Sequence, residues 1–366
     1  MRPTIMEIDL NAFVHNVKQI QKYIGNTNQI MPVIKANAYG TYINFRNDMI
    51  NQFDIVAVAL VEEGVTLRKN GYSKEIFVLN QPSKDEIPEI IENHLTIGVS
   101  EIGFIEALGN LKEKVKVHIE IDTGMGRTGI QPEEVTALIQ KVKSYENIEI
   151  EGIYTHLSSA DFDEEYTNEQ LRKFKIAVDE AIAICGDLKY IHCNASNGII
   201  NYLHSPILKE CCNLVRAGII LYGYDSCDGA CEKLDLKPVC KLKSQITFLK
   251  EVEKGTSIGY SRSYITNQKM KSATIPIGYA DGLKRAMSNG GIVAINGVRV
   301  PIVGKVCMDG FMADVSNVPN VKVGDEVYIW DNQTVTLEEV AKKCDTINYE
   351  IMSSIMERVE RKFHSS

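Results

Sequence analysis

The sequence predicts an α/β protein: an N-terminal (β/α)8 TIM-like barrel over residues 1–235, then a smaller, mainly β domain over residues 236–366. Three observations predict it. From residue 29, short β-branched runs alternate with stretches whose apolar residues recur at helical spacing. Beyond about residue 235 the alternation stops, and short strand-like runs are separated by Gly, Asn and Asp. The chain of 366 residues, 44% hydrophobic, is long enough and apolar enough for two cored domains.

Taken in order, the barrel strands are expected at 30–36, 54–60, 75–79, 95–99, 115–121, 148–155, 190–195 and 214–221. Residues 132–145 and 167–185 are the clearest helical patterns between them. A doubly wound sheet is the competing arrangement, but it would normally carry fewer strands. In the second domain, strands are expected at 245–249, 273–277, 292–295, 298–303 and 326–330, with one helix at 336–344 capped by Thr336. The tail His364-Ser365-Ser366 reads as disordered.

Composition excludes several classes. Lys+Arg 40 against Asp+Glu 48 gives a formal charge of -8, which leaves no basic footprint for nucleic acid or for polybasic membrane attachment. No apolar run approaches the ~18 residues that span a bilayer, and the start lacks the apolar core of a signal peptide. Nine scattered cysteines suit a reducing compartment better than a disulfide framework, so a cytoplasmic protein is expected. Cys227 and Cys231 resemble half a metal site, but no second pair lies at zinc spacing, and no metal is expected. Cys211-Cys212, His15 and His118 read as structural.

Barrel chemistry collects at the carboxyl ends of the strands. The residues expected there are Lys35 after the first strand, Arg127 after the fifth, His156 after the sixth, Ser196 after the seventh, and Arg216 with Gly218-Ile219 on the eighth. A lysine following Val33-Ile34 is either a snorkelling surface lysine or a desolvated nucleophile towards carbonyls. Gly-rich loops after the last two strands, where barrels hold phosphate, favour the second reading and pyridoxal phosphate over a sugar phosphate. Spacing alone leaves both open.

The chain resembles the alanine racemase family of barrel-type pyridoxal phosphate enzymes over essentially its whole length. The matching pieces are Ile34-Lys35-Ala36-Asn37-Ala38-Tyr39-Gly40, Asp122 to Gly129, Tyr154-Thr155-His156, Arg216 to Ile219 with Leu221-Tyr222-Gly223, Ile277 to Gly282, Val306 to Asp309, and Ile347 to Glu350. Seven pieces in order are very specific. The resemblance implies pyridoxal 5'-phosphate carried on Lys35, which also serves as base for one enantiomer. Tyr260, from a second subunit, is the opposing base, since inverting a stereocentre needs acid/base groups on both faces. Arg216 faces the pyridine nitrogen; His156 packs on the ring; Tyr39, Ser196, Gly218, Ile219 and Tyr349 hold the phosphate. Arg127 and Met308 receive the substrate carboxylate, Tyr279 and Asp309 lie nearby, and a homodimer follows.

Several positions depart from the family pattern. Thr41-Tyr42 follows Gly40 where His-Gly is usual, Ala195 precedes Ser196 in place of asparagine, and Glu120 stands where some members carry a carbamylated lysine. Glu120 either positions Arg127 or is a plain strand residue. These departures resemble the catalytic half of the membrane-bound serine/alanine racemases of vancomycin resistance. On that resemblance, L- and D-serine join L- and D-alanine as substrates, the products serve cell-wall precursors, and Asn348 either bonds a serine hydroxyl or caps a turn. The alternatives are a strict alanine racemase, a noncatalytic pyridoxal phosphate carrier and a decarboxylase; Arg216 in the pyridine position disfavours the last.

Overall fold

Each of the eight expected barrel strands forms in the computed structural model, which describes residues 2–226 and 229–365. One further strand precedes them. In chain order these are β1 (Ile5–Asp9), β2 (Gln29–Pro32), β3 (Ile55–Val58), β4 (Glu75–Val78), β5 (Thr96–Val99), β6 (Val115–Glu120), β7 (Ile148–Tyr154), β8 (Tyr190–His192) and β9 (Leu214–Ala217). Strands β3 to β8 pair in parallel, each with the next, and β2 pairs with β9 from Gln29↔Leu214 to Pro32↔Ala217. Two junctions close the ring: Ile34 N donates to Ala57 O at 2.9 Å, and Arg216 N donates to Asn194 O at 2.8 Å. All four residues of β3, Ile55 to Val58, are buried, as expected of a strand covered on both faces.

The outer helices follow from sequence pattern and caps. Helix Leu10–Ile24 buries Leu10, Phe13, Val17, Ile20 and Ile24 along one stripe. Asp9 caps it by accepting from Asn11 N and Ala12 N, and Gly25, at φ +74°, ends it in a conformation open to glycine. The patterns at 132–145 and 167–185 become helices Val135–Lys143 and Glu164–Cys185, the latter capped by Asp163.

The second domain is built on a nine-stranded sheet with a short hairpin beside it. Its strands are β10 (Cys240–Gln245), β11 (Phe248–Val252), β12 (Ser257–Ile258), β13 (Tyr264–Ile265), β14 (Met270–Ile275), β15 (Ile292–Ile295), β16 (Val298–Val303), β17 (Phe311–Asp314), β18 (Glu326–Trp330) and β19 (Glu360–His364). The sheet order is β11-β14-β17-β16-β15-β18-β10-β1-β19, and β12 pairs only with β13. Thr336 caps helix Leu337–Lys343 by accepting from Glu339 N at 3.2 Å, as expected.

Three readings change. The single strand expected at 245–249 is two strands broken at Ile246-Thr247. Residues Ile5–Asp9 lie in the second domain's sheet, antiparallel to β10 and parallel to β19, although residues 1–235 were read as barrel. The alternation in IMEID explains this, because Met6 and Ile8 are fully buried there. The tail is ordered as far as His364, which pairs with Asp9 in β19. No helix among the described residues is long and apolar enough to cross a membrane.

Candidate active site

Strand β2 stops at Pro32, and the chain then makes an unusual turn. Ala36, Asn37, Ala38 and Tyr39 all take left-handed conformations, with φ of 51°, 52°, 53° and 56°. Such residues cost roughly 1–2 kcal/mol each outside glycine, and strain of this kind collects at functional sites. Local bonds hold the turn. Glu63 Oε1 accepts from Ala36 N at 2.6 Å, Gly40 N donates to Ala36 O at 2.9 Å, and Tyr42 N donates to Asn37 O at 2.8 Å. The turn places both Lys35 and Tyr39 on the wall of a cavity of ≈ 530 Å3 at the carboxyl end of the barrel. Burial and the neighbouring Arg127 charge lower the Lys35 pKa, against an opposing pull from Glu63. A half-buried amine of lowered pKa is a nucleophile for an aldehyde.

One end of the cavity is a cradle for an oxyanion. Ser196 Oγ accepts from Gly218 N at 3.2 Å. A Cβ on Gly218 would stand 2.7 Å from Tyr39 Oη and 3.5 Å from Ser196 Oγ, so only glycine leaves this space open. The Tyr39 and Tyr349 rings lie 5.9 Å apart across it. Ile219 is fully buried in the 3-10 turn that follows and does not itself line the cavity.

Arg216, 2% exposed, occupies the cavity floor. Its Nη1 donates to His192 Nδ1 at 2.7 Å and to His192 O at 3.1 Å. Its Nη2 donates to Thr155 O at 2.7 Å, Cys193 O at 2.9 Å and His156 Nδ1 at 3.2 Å. Among the described residues no carboxylate lies within ion-pair distance of it. Burial lowers its pKa, yet arginine's intrinsic value (above ~12) keeps it charged. Burial and the Arg216 charge push the His156 pKa down to about 3, so that ring is neutral.

Arg127 also lines the cavity. Glu120, buried at the end of β6, accepts from Thr128 Oγ1 at 2.8 Å, and burial raises its pKa. No ion pair within 4.0 Å joins Glu120 to Arg127 among the described residues; the Arg127 charge only partly offsets the effect of burial on Glu120.

The remaining sequence candidates sit elsewhere. Asn348 does not reach the cavity: its Nδ2 donates to Asp225 O at 2.9 Å and to Glu338 Oε1 at 3.4 Å. That is a correction to its assignment to a serine hydroxyl; the amide ties two segments together. Tyr260 (68% exposed), Met308 (53% exposed), Tyr279 and Asp309 lie in the second domain, and none lines the cavity. Tyr279 N donates to Cys307 O and Ala280 N to Met308 O, both at 3.0 Å, and Asp309 accepts from Arg358 Nη2 at 2.5 Å. Cys227 lies outside the described residues. Sequence reasoning missed Asn80, Ser158, Asp161 and Asn197 on the cavity wall. All four follow strands β4, β7 or β8, so the rule of strand carboxyl ends could have found them. It also missed Glu63, whose role depends on a contact 27 residues away in sequence.

The cradle, the lysine and the buried guanidinium suit three parts of one molecule: a phosphate, an aldehyde carbon and a ring nitrogen that accepts a hydrogen bond. The class this defines is the barrel-type enzymes dependent on pyridoxal 5'-phosphate. Residues 8–226 match the family model "Alanine racemase, N-terminal domain" and residues 239–363 match "Alanine racemase, C-terminal domain". The chain belongs to the alanine racemase family, and its cofactor is pyridoxal 5'-phosphate. It is 41% identical to the alanine racemase of Halothermothrix orenii over 99% of this chain and 97% of that one. It is 37% identical to that of Methanococcus maripaludis over 98% of each. The solved alanine racemase of Clostridium difficile 630 superposes with a TM-score of 0.92 at 35% identity, covering 100% of this chain and 97% of that one. The Bacillus anthracis alanine racemase with bound L-Ala-P gives 0.91 at 32% identity, covering 100% and 95%.

Proposed function

We propose that the protein interconverts L- and D-alanine by a two-base route, with L- and D-serine as further substrates, and supplies D-amino acids for cell-wall precursors in the cytoplasm. The observation that carries this reading is the convergence of Lys35, Arg127, Arg216 and the Tyr39–Ser196–Gly218 cradle on one cavity. Bound there, the cofactor withdraws electrons from the substrate Cα and makes its hydrogen acidic. Lys35, whose pKa burial and the Arg127 charge lower, takes or returns a proton on one face. Arg127 binds the substrate carboxylate. Arg216 would face the pyridine nitrogen as a donor that keeps its own proton, which would leave the ring a weaker electron sink and favour simple proton return over transamination.

The opposite face needs a second acid/base group. Tyr260, exposed on the second domain, serves there for the site of a second copy, with Met308 beside it. The protein is thus a homodimer with shared sites, its subunits divided functionally at residues 235 and 236. A site sized for a methyl group rejects an added hydroxyl by only about a hundredfold. Serine is therefore turned over beside alanine.

Chiral chromatography of the purified protein with L-alanine and, separately, L-serine tests the reading. D-product from both is expected; D-alanine alone removes the serine assignment, and neither removes the racemase. Mixing Lys35→Ala with Tyr260→Phe subunits should restore activity that each lacks alone, because half of the mixed dimer's sites are intact. Lack of recovery by mixed dimers removes the shared site.

A further inference from the structure

Below Arg216 a chain of buried polar groups runs down the barrel axis, and the reaction as described does not use it. His192 Nε2 lies 2.9 Å from His118 Nδ1. His118, on β6, is fully buried, stacked on Phe77 at 4.3 Å between ring centroids. Gly152 on β7 lies against both the Tyr190 carbonyl and this ring; a Cβ there would stand 2.6 Å from Tyr190 O and 3.0 Å from the His118 ring. Below the ring, a nitrogen of His118 and carboxylate oxygens of Glu75 and Glu151 lie within 4.8 Å of one another. Lys116 and Lys189 pair with Glu151 Oε1 at 2.5 and 3.0 Å, and Lys189 and the Tyr190 hydroxyl reach Glu75 Oε2 at 2.9 and 3.3 Å. Two atoms in this cluster have no hydrogen-bond partner, His118 Nε2 and Glu151 Oε2, although the Glu75 carboxyl, its pKa raised by burial and by Glu151, lies close enough to share a proton with the Glu151 carboxylate.

The direction of the chain is fixed, because arginine only donates. Arg216 gives to His192 Nδ1, which puts the His192 proton on Nε2 and points it at His118 Nδ1. The His118 proton must then sit on Nε2, which has no partner of its own. This polarity excludes a metal ion at the cluster, since a ligating Nε2 would carry no proton and two ammonium groups already neutralise the oxygens.

We propose that Glu151 is a positioning residue for the racemase reaction. Its free oxygen accepts from His118 Nε2, directly after a carboxylate rotation or through one water, and so locks both rings in the tautomer that offers Arg216 a lone pair. Without that acceptor His118 can move its proton to Nδ1. His192 must then turn a proton towards Arg216, and two donors face each other below the cofactor. The role rests on the racemase reading; the tautomer order does not.

Nitrogen-15 histidine spectra of the wild-type holoenzyme should show His118 and His192 neutral and protonated on Nε2 near neutral pH. Protonation of His192 on Nδ1 overturns the proposal, whether or not the protein racemises alanine. In the holoenzyme, Glu151→Gln should lower kcat for alanine roughly 10-fold, because the one amide oxygen is claimed by Lys116 and Lys189 and the NH2 would face His118 Nε2 as a second donor. It should also shift the visible absorbance of the lysine-bound cofactor, and Glu151→Asp should recover part of both. Wild-type kcat and absorbance with only a lowered Tm would make Glu151 structural and end the proposal. If Glu151→Gln does not fold, the wild-type spectra decide. If the wild-type protein racemises nothing, the racemase reading fails while the spectra still report the chain.

Discussion

Arg216 Nη1 lies 2.7 Å from His192 Nδ1, and this single contact sets the proton positions along the barrel axis. The same guanidinium serves His156 Nδ1, so one buried cation orders both histidine rings. A lysine offers three donors where Arg216 meets five acceptors. Arg216→Lys should therefore lower kcat roughly 10- to 100-fold and shift the cofactor absorbance, measured by steady-state kinetics and spectra. Wild-type turnover would show that the fork geometry is unimportant.

Lys35→Ala should abolish racemisation in both directions and remove the visible absorbance of the lysine-bound cofactor. Dialysis against excess pyridoxal phosphate followed by spectra and chiral assay checks both losses. Normal turnover would end the mechanism.

Gly218→Ala places a methyl group 2.7 Å from Tyr39 Oη, inside the oxyanion cradle. The strain of such overpacking is about 1–3 kcal/mol, so cofactor affinity should fall roughly 10-fold or more. Fluorescence titration of the apoenzyme with pyridoxal phosphate measures it. Unchanged affinity would move the phosphate away from Gly218.

Stability should fall on acidification in a defined window. His118 and His156 are held down to about 3 by burial, and His192 is also lowered, against an ordinary value of 6.5. The unfolded chain binds these protons first. Stability is thus fully present above about pH 6.5 and is lost as pH falls towards 3, by up to about 1.4 kcal/mol per unit for each ring. Denaturant unfolding of the holoenzyme between pH 8 and pH 4.5 should show this slope, and His118→Asn should reduce it. A flat profile would mean that the rings titrate normally.

Asn348→Ala should cost stability, about 1–3 kcal/mol for the buried amide bonds to Asp225 and Glu338, and leave the ratio of serine to alanine rates unchanged. Urea unfolding and parallel chiral assays check both halves. A selective loss of the serine rate would return Asn348 to specificity.

How much was legible in the sequence differs by element. The eight barrel strands were legible because each is a short, mostly buried apolar run between polar or Gly-containing stretches, a local property. The carboxyl-end rule then carried Lys35, Arg127, His156, Ser196 and Arg216 onto one rim, and all five line the cavity. Strand β1 was not legible as part of the second sheet, because its partners lie more than 200 residues away and its pattern of alternation fits either domain. Asn348 was misplaced for a related reason: adjacency to Tyr349 in sequence fixes neither the direction of a side chain nor its partner.

The sequence by itself determined the periodicities, and with them the strands, most helices and the order of the strand-end residues. The tertiary structure alone decided which polar groups meet inside the barrel. Hydrophobic burial is written locally, residue by residue, but the state of His118, His192 or Lys35 is set by charges and acceptors that only closure of the barrel brings together.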